Sequence, residues 1–411
     1  MSSSAPNSRT VKRGEELTLR IDSLAFGGRG VARVDGLVVF VDDSLPGQLV
    51  RARVVRKCKG FAEARMLQVL EESPEAVAPR CAHFGECGGC RLQNLDYQAQ
   101  LRYKQQQVVE SLQHIGGLAS VEVRTALPSP DLFHYRNKME YSFGRQRWLT
   151  RAEVEADRIT KPRDFALGLH VRGRFDRILD IDECHLQSPL SVDILKFVRD
   201  FAGRSGIRPY STNDHTGFWR HLVVREGKHT GQVMVNLVTA ALPESYPAVE
   251  TLVERLAQRF PEITTAVHNI NRKKAQVATG DEERVLLGPG TIQERLGERL
   301  FEISANSFFQ TNTRGAERLF RCVSQLADFG GSELVYDLYC GAGSISLTIA
   351  DRVRAVVGFE VVEEAVADAR RNCELNRVHN CEFVSGDVRR ALGEAVTAGK
   401  WGLPDVVLVD P

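Results

Sequence analysis

The stretch Leu334-Val-Tyr-Asp-Leu-Tyr-Cys-Gly-Ala-Gly-Ser-Ile-Ser-Leu-Thr-Ile-Ala350 decides the fold of the C-terminal part of this chain. Its mostly apolar beginning, residues 334–338, predicts a buried strand, and residues 345–350 predict the start of a helix. Gly341 and Gly343 lie in the tight turn between them, where side chains would keep a ligand away from the backbone. A strand, a glycine turn and a helix in this order present helix N-terminal amides to a polar ligand.

The sequence after this turn predicts a nucleoside ligand and a parallel sheet. The next predicted strand, residues 354–359, is followed by Glu360, and an acidic side chain at this place suits the diol of a ribose. A strand-end charge that faces solvent is the alternative interpretation. Further strands predicted at residues 382–385 and 405–409 alternate with helices, which indicates a doubly wound sheet. No Gly-Lys-Ser/Thr follows the glycines, so a P-loop is excluded.

Length and composition set the broad class of the protein. The 411 residues suffice for several domains, and 43% hydrophobic with 26% charged residues is typical of a soluble globular protein. The chain has no apolar run of 18 residues and no signal-peptide core at its start, which predicts a cytoplasmic protein without membrane association. A net charge of +1 means that any polyanion must be bound by a local basic region. We expect a monomer.

The N-terminal region predicts a small β domain. Residues 1–10 are polar and predict a disordered tail. Residues 11–72 contain five short alternating runs separated by turn signals, which predict an OB-like β-barrel. Residues 1–70 contain 12 Lys+Arg against 7 Asp+Glu, and five of these bases fall within residues 51–59. Basic strands of this kind suit a nucleic-acid backbone, and a solvated strand face is the alternative.

Three closely spaced cysteines follow the β domain, in the predicted segment of residues 73–93. The pattern Cys81-x5-Cys87-Gly-Gly-Cys90 places three thiols within ten residues, and Cys184 is the next cysteine along the chain. Four thiolates can bind an iron–sulfur cluster. They can equally bind a structural zinc ion, because spacing alone does not separate the two.

The middle of the chain predicts a linker helix and an α+β domain. Residues 94–119 are polar and rich in glutamine, which predicts a helix that ends near Gly116 and Gly117. Residues 120–300 mix strand and helix patterns and form a predicted central domain. Residues 135–143 and 218–224 combine bases with aromatic residues, a mixture that suits RNA but also occurs on ordinary strand faces.

Taken together, these motifs resemble the RNA uracil-C5 methyltransferases, and within them the members with an N-terminal TRAM domain that modify 23S ribosomal RNA. The resemblance covers about residues 11–411 and rests on the barrel, the cysteine set and four short motifs. These motifs are Tyr135-Arg-Asn-Lys-Met-Glu140, Asn306-Ser-Phe-Phe-Gln310, Asp337-Leu-Tyr-Cys-Gly-Ala-Gly343 and Val409-Asp-Pro411.

The resemblance implies a multidomain architecture with defined ligands. It implies an RNA-binding OB-like TRAM barrel, a central α+β RNA-binding domain with the four-cysteine site, and a Rossmann-like α/β methyltransferase domain at residues 301–411. S-adenosylmethionine is the implied methyl donor, and a 4Fe–4S cluster is implied on the four cysteines. RNA is the implied partner, ribosomal RNA being favoured over tRNA.

The resemblance also assigns roles to individual residues. It places Gln310 at the methionine end of the cofactor and Glu360 on its ribose. Asp410 matches an aspartate beside the cofactor and the target base. The remaining implied cofactor contacts are Tyr339, Gly341, Gly343 and Ser344 in the turn and Asp387 near the adenine. This sequence departs from the family pattern at two of these positions, since Ser344 replaces an asparagine of some relatives and the Asp387 position varies.

The implied mechanism adds a cysteine thiolate to carbon 6 of a flipped-out uracil, which makes carbon 5 nucleophilic. In the family the nucleophilic cysteine and the base follow the motif that here ends at Pro411. The four-strand sheet therefore looks truncated, and we expect residues 1–411 alone to show no turnover. Cys340 is expected to pack beneath the strand.

Two other classes of protein remain as alternatives. The first is a non-catalytic RNA-binding or chaperone protein with a degenerate methyltransferase domain. The second is a radical S-adenosylmethionine enzyme, which the cysteine spacing and the separate glycine turn disfavour.

Overall fold

The computed structural model describes residues 11–156, 159 and 161–411, so the predicted tail at residues 1–10 lies outside the described residues. The chain divides into two compact units, Met1–Pro128 and Ser129–Pro411. These units are coarser than the predicted domains, whose internal boundaries stay predictions. No helix within the described residues is long and apolar enough to cross a membrane.

The first unit contains a six-stranded sheet in which the five predicted strands are present, with one additional two-residue strand. Its order is β1-β5-β6-β4-β3-β2, and the β4–β6 pairing is parallel while the other pairings are antiparallel. Alternate residues of β5, Val50, Ala52 and Val54, are buried in the core, which leaves Arg51 and Arg53 exposed. The strands are β1 (Glu16–Arg20), β2 (Ser23–Leu24), β3 (Gly30–Val34), β4 (Leu37–Asp42), β5 (Leu49–Lys57) and β6 (Phe61–Glu71).

The exposed bases of β5 are partly neutralised within the sheet. Arg53 forms an ion pair with Glu16 at 2.7 Å, and Arg51 lies 3.9 Å from the same carboxylate. After the sheet and the cysteine segment, the predicted linker helix is present as α1 (Tyr97–His114). The side chain of Asp96 caps α1 by accepting from the amides of Gln98 and Ala99.

The second unit begins with a seven-stranded sheet in the order β13-β12-β11-β10-β7-β8-β9, in which β11 and β12 alone are parallel neighbours. Helices α3 and α4 pack against it, and both carry buried apolar residues at helical spacing. The strands are β7 (Lys138–Gly144), β8 (Ala166–His170), β9 (Ile178–Asp180), β10 (Trp219–Glu226), β11 (Val233–Ala240), β12 (Ile263–Asn271) and β13 (Glu282–Leu287). The helices are α2 (Arg151–Glu155), α3 (Pro189–Arg204), a 3₁₀ turn (Pro243–Ser245) and α4 (Tyr246–Arg259).

A hairpin and a helix lead to the four-stranded parallel sheet that the sequence predicts. The sheet order is β18-β17-β16-β19, so β16 lies in the interior between β17 and β19. The chain leaves β16 toward β17 on one side and returns as β19 on the other, and such a switch point opens a crevice beyond the carboxyl ends of the strands. The hairpin is β14 (Thr291–Leu296) with β15 (Arg299–Ser304), and the later strands are β16 (Leu334–Leu338), β17 (Ala355–Glu360), β18 (Cys381–Ser385) and β19 (Val406–Val409). The helices are α5 (Thr313–Ala327), α6 (Ser344–Ile349), a 3₁₀ turn (Ala350–Arg352), α7 (Glu363–Asn376) and α8 (Val388–Ala398).

Candidate functional site

The turn after β16 is held against the end of β17 by backbone hydrogen bonds. The amides of Tyr339 and Cys340 both donate to the carbonyl oxygen of Phe359, at 2.9 and 3.1 Å. Tyr339 has a φ of 66° and its side chain is exposed. This left-handed conformation is unusual for a residue with a side chain, and such conformations concentrate at functional sites.

The two glycines of the turn have different surroundings. Both lie in the left-handed region, Gly341 at a φ of 54° and Gly343 at 76°. A Cβ built on Gly343 would lie 2.9 Å from Leu347 and 3.0 Å from the ring of Phe383, so this position is closed by packing. A Cβ on Gly341 would meet nothing within 4 Å, so the backbone here faces open space. Only Gly341 therefore leaves room for a ligand.

The carboxylate of Glu360 lies against this turn. One oxygen accepts from the amide of Gly341 at 3.0 Å, and the other accepts from the amides of Val361 and Val362 at 2.8 and 2.9 Å. These bonds hold a half-buried carboxylate at the carboxyl end of β17, next to the open face of Gly341. The contact of Glu360 with a ribose stays a prediction.

Asp337 is another acidic group at this edge of the sheet, and the sequence interpretation gave it no role. Its side chain is 1% exposed and accepts a hydrogen bond of 2.6 Å from the hydroxyl of Ser346. Burial raises the pKa of Asp337 to about 6, and the charges of Asp410 and Glu360 add to this rise. Three carboxylates therefore share one electrostatic field at the switch point of the sheet.

The loop that carries Gln310 (residues 306–312, hereafter the Gln310 loop) is held by buried polar side chains. Asn137 donates from its side chain to the carbonyl oxygen of Gln310 at 2.7 Å and to the hydroxyl of Thr313 at 2.9 Å. The guanidinium of Arg225, buried on β10, donates to the carbonyl oxygens of Ala305 and Ser307 at 3.2 and 2.5 Å. Burial lowers the pKa of Arg225 to about 10, so it stays charged at neutral pH.

Two other predicted site residues lie at helix N-termini. Ser344 is the first residue of α6, directly after the cap residue Gly343. Asp387 caps α8, and its carboxylate accepts from the amides of Arg389 and Arg390 at 3.0 and 3.3 Å. Because one oxygen of Asp387 already makes these capping bonds, its predicted contact with an adenine stays a prediction.

The cysteine prediction receives no support from the structure. Within the described residues, no group of three or more cysteine, histidine, aspartate or glutamate side chains is placed to hold a metal ion. Cys81, Cys87 and Cys90 do share a compact turn, in which the amide of Gly89 lies 3.3 Å from the sulfur of Cys87. A 4Fe–4S cluster or a zinc ion on the four cysteines therefore stays a prediction of the sequence.

Cys340 is buried beneath the turn, as expected for a packing role. A Cβ built on Gly358 of β17 would lie only 2.7 Å from the sulfur of Cys340, so the sulfur packs closely against this strand. Burial raises the pKa of the Cys340 thiol, and the nearby charges of Asp337 and Glu360 raise it further. The thiolate form is thus suppressed at this position.

Comparison with known proteins identifies the family. Residues 248–396 match the family described as tRNA (Uracil-5-)-methyltransferase, and residues 10–67 match the TRAM domain. An uncharacterized RNA methyltransferase of Chlorobaculum tepidum is 42% identical over 92% of this chain and 78% of the relative. Another, from Nitratidesulfovibrio vulgaris, is 39% identical over 98% of this chain and 83% of the relative. The chain belongs to the RNA uracil-C5 methyltransferases.

A solved structure of this RNA uracil-C5 methyltransferase family has the same fold over most of its length. It is the tRNA (uracil-54, C5)-methyltransferase of Pyrococcus abyssi in complex with S-adenosyl-L-homocysteine, which is 31% identical. The TM-score is 0.69, and the match covers 96% of this chain and 83% of that chain. The predicted TRAM domain and methyltransferase fold are therefore confirmed.

Sequence reasoning for this methyltransferase missed the residues that support the site. Asp337 and Asn137 both lie in motifs that were recognised, but the motifs alone do not show that these side chains are buried and bonded. Arg225 carried a detectable signal, because it is a base in the otherwise apolar part of a strand pattern. A buried guanidinium requires several acceptors, and here they are the carbonyls of the residues just before and within the Gln310 loop.

Proposed function

We propose that this protein transfers a methyl group from S-adenosylmethionine to carbon 5 of a uridine in RNA. The observation that carries this proposal is the glycine turn, which is open above Gly341 and has the carboxylate of Glu360 against it. The charges of Asp410 and Glu360 both act on the buried carboxyl of Asp337 at the same edge of the sheet. Family membership supports the reaction class, and the Pyrococcus abyssi relative in complex with S-adenosyl-L-homocysteine supports the cofactor.

The residues of the turn fit this cofactor. When bound, S-adenosylmethionine supplies an electrophilic methyl group on a positively charged sulfonium. The three carboxylates create a negative potential that favours a cation in this crevice. Glu360 would accept hydrogen bonds from the ribose hydroxyls, because its carboxylate is fixed by backbone amides and remains half exposed. Gln310 would contact the methionine end, and Asp410 would face the reacting groups.

The Gln310 loop offers a surface for the target base. Phe308 is 67% exposed on this loop, whereas its neighbour Phe309 is buried and packs against Phe301. An exposed aromatic ring on a loop held by Asn137 and Arg225 suits stacking with an unstacked base. Phe308 would thus position the uracil near the cofactor.

Carbon 5 of uracil needs activation, which a thiolate adding to carbon 6 provides. Cys340 does not suit this role, because it is buried and its pKa is raised. In the family that the sequence resembles, the nucleophilic cysteine and the base follow the Asp-Pro motif of residues 410–411, and we propose the same order of these residues for this enzyme.

The class of RNA is a separate question. The resemblance to the 23S ribosomal type favours ribosomal RNA, while the solved relative from Pyrococcus abyssi is named as a tRNA enzyme. Mass spectrometric mapping of 5-methyluridine in ribosomal RNA and tRNA, with and without the gene, decides between them. Loss of the modification at one site identifies the substrate, and unchanged 5-methyluridine in all RNA contradicts the proposed reaction.

Cofactor binding is tested directly with the chain of 411 residues. Isothermal titration with S-adenosylhomocysteine should show one site, and Glu360→Gln should weaken it, because the carboxylate acceptor for the ribose is lost. Glu363→Gln, a nearby exposed carboxylate on α7, is the matched control. Equal affinities of the two variants would contradict the assignment of Glu360.

The four-cysteine cluster stays a prediction of the sequence resemblance. The anaerobic absorption spectrum of the purified protein tests it, since a 4Fe–4S cluster absorbs broadly in the visible and zinc does not. A colourless protein that contains no iron would refute the cluster.

A further inference from the structure

A buried arginine of the seven-stranded sheet holds a second loop of the second unit. Arg220 on β10 is 1% exposed and lies 4.2 Å above the ring of Tyr210. Its guanidinium donates to the carbonyl oxygens of Asn271 and Lys273 at 3.2 and 2.7 Å, and also to the carbonyl oxygen of Ala275. The carbonyls of this loop therefore point into the protein.

The same loop presents three consecutive bases outward. Residues 272–274 are Arg-Lys-Lys, hereafter the basic loop, and all three are exposed. Asn271 stabilises the loop further, since its side chain donates to the carbonyls of Val277 and Thr279 at 3.1 and 2.7 Å and accepts from the amide of Lys273 at 2.8 Å. A loop that is ordered in advance loses less conformational entropy when it binds a partner.

The strand that leads into the basic loop contacts the start of the Gln310 loop. Asn269, two residues before Asn271 on β12, accepts a hydrogen bond of 3.2 Å from the side chain of Asn306, which begins the Gln310 loop. The exposed ring of Phe308 follows two residues later. An RNA strand that places a base on Phe308 would thus have its neighbouring phosphates near the basic loop.

The charges of the basic loop are available to phosphates. Arg272 pairs with Glu282 at 2.8 Å and Lys273 with Asp281 at 3.1 Å, and the two base side chains are 54% and 66% exposed. Exposed pairs of this kind contribute little free energy, so phosphate groups can compete with the carboxylates. Lys274 has no ion-pair partner among the described residues.

From this geometry we infer that the basic loop binds backbone phosphates of the RNA strand next to the target uridine, with Arg220 as its positioning residue. The inference rests on the proposed function for the identity of the partner. It adds a phosphate-binding element of the second unit, separate from the basic strands of the first unit.

The test measures the salt dependence of RNA binding. Binding of a fluorescent single-stranded uridine-rich RNA is followed by anisotropy between 50 and 300 mM KCl for the wild type and for the variant Arg272→Gln/Lys273→Gln/Lys274→Gln. Each lost phosphate contact on a single strand changes the slope of log K against log[salt] by about 0.7, so three contacts lower it by about 2. Affinity at 0.15 M salt then falls by about 50-fold.

A charge-matched control separates this effect from net charge. The variant Arg204→Gln/Arg255→Gln/Arg259→Gln removes the same number of exposed bases from α3 and α4. We expect its salt slope to equal that of the wild type. If the two triple variants change the slope equally, or if the basic-loop variant leaves it unchanged, the inference is overturned while the proposed methylation stands. If the wild type binds RNA with no salt dependence, the loop inference fails, and 5-methyluridine mapping judges the methylation independently.

The positioning role of Arg220 has its own readout. Arg220→Met leaves all three loop bases in place but removes the bonds to the carbonyls, so the salt slope should decrease while the affinity for S-adenosylhomocysteine is retained. Arg220→Lys should restore part of the slope. An unchanged slope in a folded Arg220→Met protein would overturn the positioning role. If Arg220→Met unfolds, the triple variant of the basic loop still tests phosphate binding, because its three substitutions are at exposed positions.

Discussion

Two glycines separated by one residue should respond differently to the same substitution. Gly341→Ala and Gly343→Ala both place a side chain in the left-handed region, which costs about 1–2 kcal/mol. At Gly343 the new methyl would also lie 2.9 Å from Leu347, 3.0 Å from Phe383 and 3.2 Å from Ala369. Overpacking of a core typically costs about 1–3 kcal/mol more. We therefore expect a loss of about 1–2 kcal/mol for Gly341→Ala and about 2–5 kcal/mol for Gly343→Ala.

The effect of the two substitutions on cofactor affinity should be the reverse of their effect on stability, with the larger loss of affinity in Gly341→Ala. The methyl of Gly341→Ala projects into space with no protein atom within 4 Å, where the proposed cofactor lies. We expect the Kd for S-adenosylhomocysteine to rise at least about tenfold, which corresponds to about 1.4 kcal/mol. Gly343→Ala should retain most of the affinity in whatever fraction remains folded, because its methyl points into the core.

Urea denaturation gives the free energies of unfolding and isothermal titration gives the Kd values. Gly393→Ala is the control, since Gly393 lies exposed within α8, has nothing within 4 Å of a Cβ and should gain stability on replacement. Unchanged affinity in Gly341→Ala would show that the open space is not the cofactor site. A Gly343→Ala protein as stable as Gly341→Ala would refute the packing argument.

Three further predictions concern the charges and supports of the site. The pKa of Asp337 is raised from 3.8 to about 6, so between these pH values the folded state binds more protons than the unfolded state. The free energy of unfolding therefore falls as the pH rises through this range, by about 3 kcal/mol in total. Asp337→Asn should remove this dependence in unfolding experiments from pH 4 to 7, and persistence of the slope would contradict the prediction. Asn137→Ala should lower the free energy of unfolding by about 1–3 kcal/mol and weaken S-adenosylhomocysteine binding, because the carbonyl of Gln310 and the hydroxyl of Thr313 lose a donor. Wild-type values in both the urea denaturation and the isothermal titration would show that Asn137 does not hold the loop. Cys340 should resist alkylation by iodoacetamide at pH 8 in the native protein and react after unfolding, as followed by peptide mass spectrometry; rapid native labelling would reopen its role as a nucleophile.

Much of the fold could be predicted because it follows from local patterns. The predicted strand at residues 334–338 matches β16, and the strands after it begin and end within one residue of the prediction. Periodicity and turn residues are properties of neighbouring positions, and they are readable without knowing the tertiary contacts. Family motifs added the family, and the comparisons confirm membership in the RNA uracil-C5 methyltransferases.

The spacing of the four cysteines along the sequence does not by itself establish a metal site. Cys81, Cys87 and Cys90 are close in sequence, but the metal geometry depends on where four sulfur atoms lie in three dimensions, and the structure does not support it. Similarly, Asp387 stands at the predicted place after β18, yet its carboxylate caps a helix. A position after a strand is common to caps and ligand contacts, so the sequence cannot distinguish them.

The sequence by itself determined the order of strands and helices, the glycine turn and the family of this protein, because each depends on residue types at fixed separations along the chain. Only the tertiary structure decided which glycine is open, which carboxylates share a field and which buried arginine holds which loop. Asp337, Glu360 and Asp410 are far apart in sequence, and they influence one another because parallel strands end at the same edge of the sheet. Arg220 and Arg225 lie on one strand, and each fixes a distant loop because a buried guanidinium must find its acceptors wherever the fold brings backbone carbonyls together.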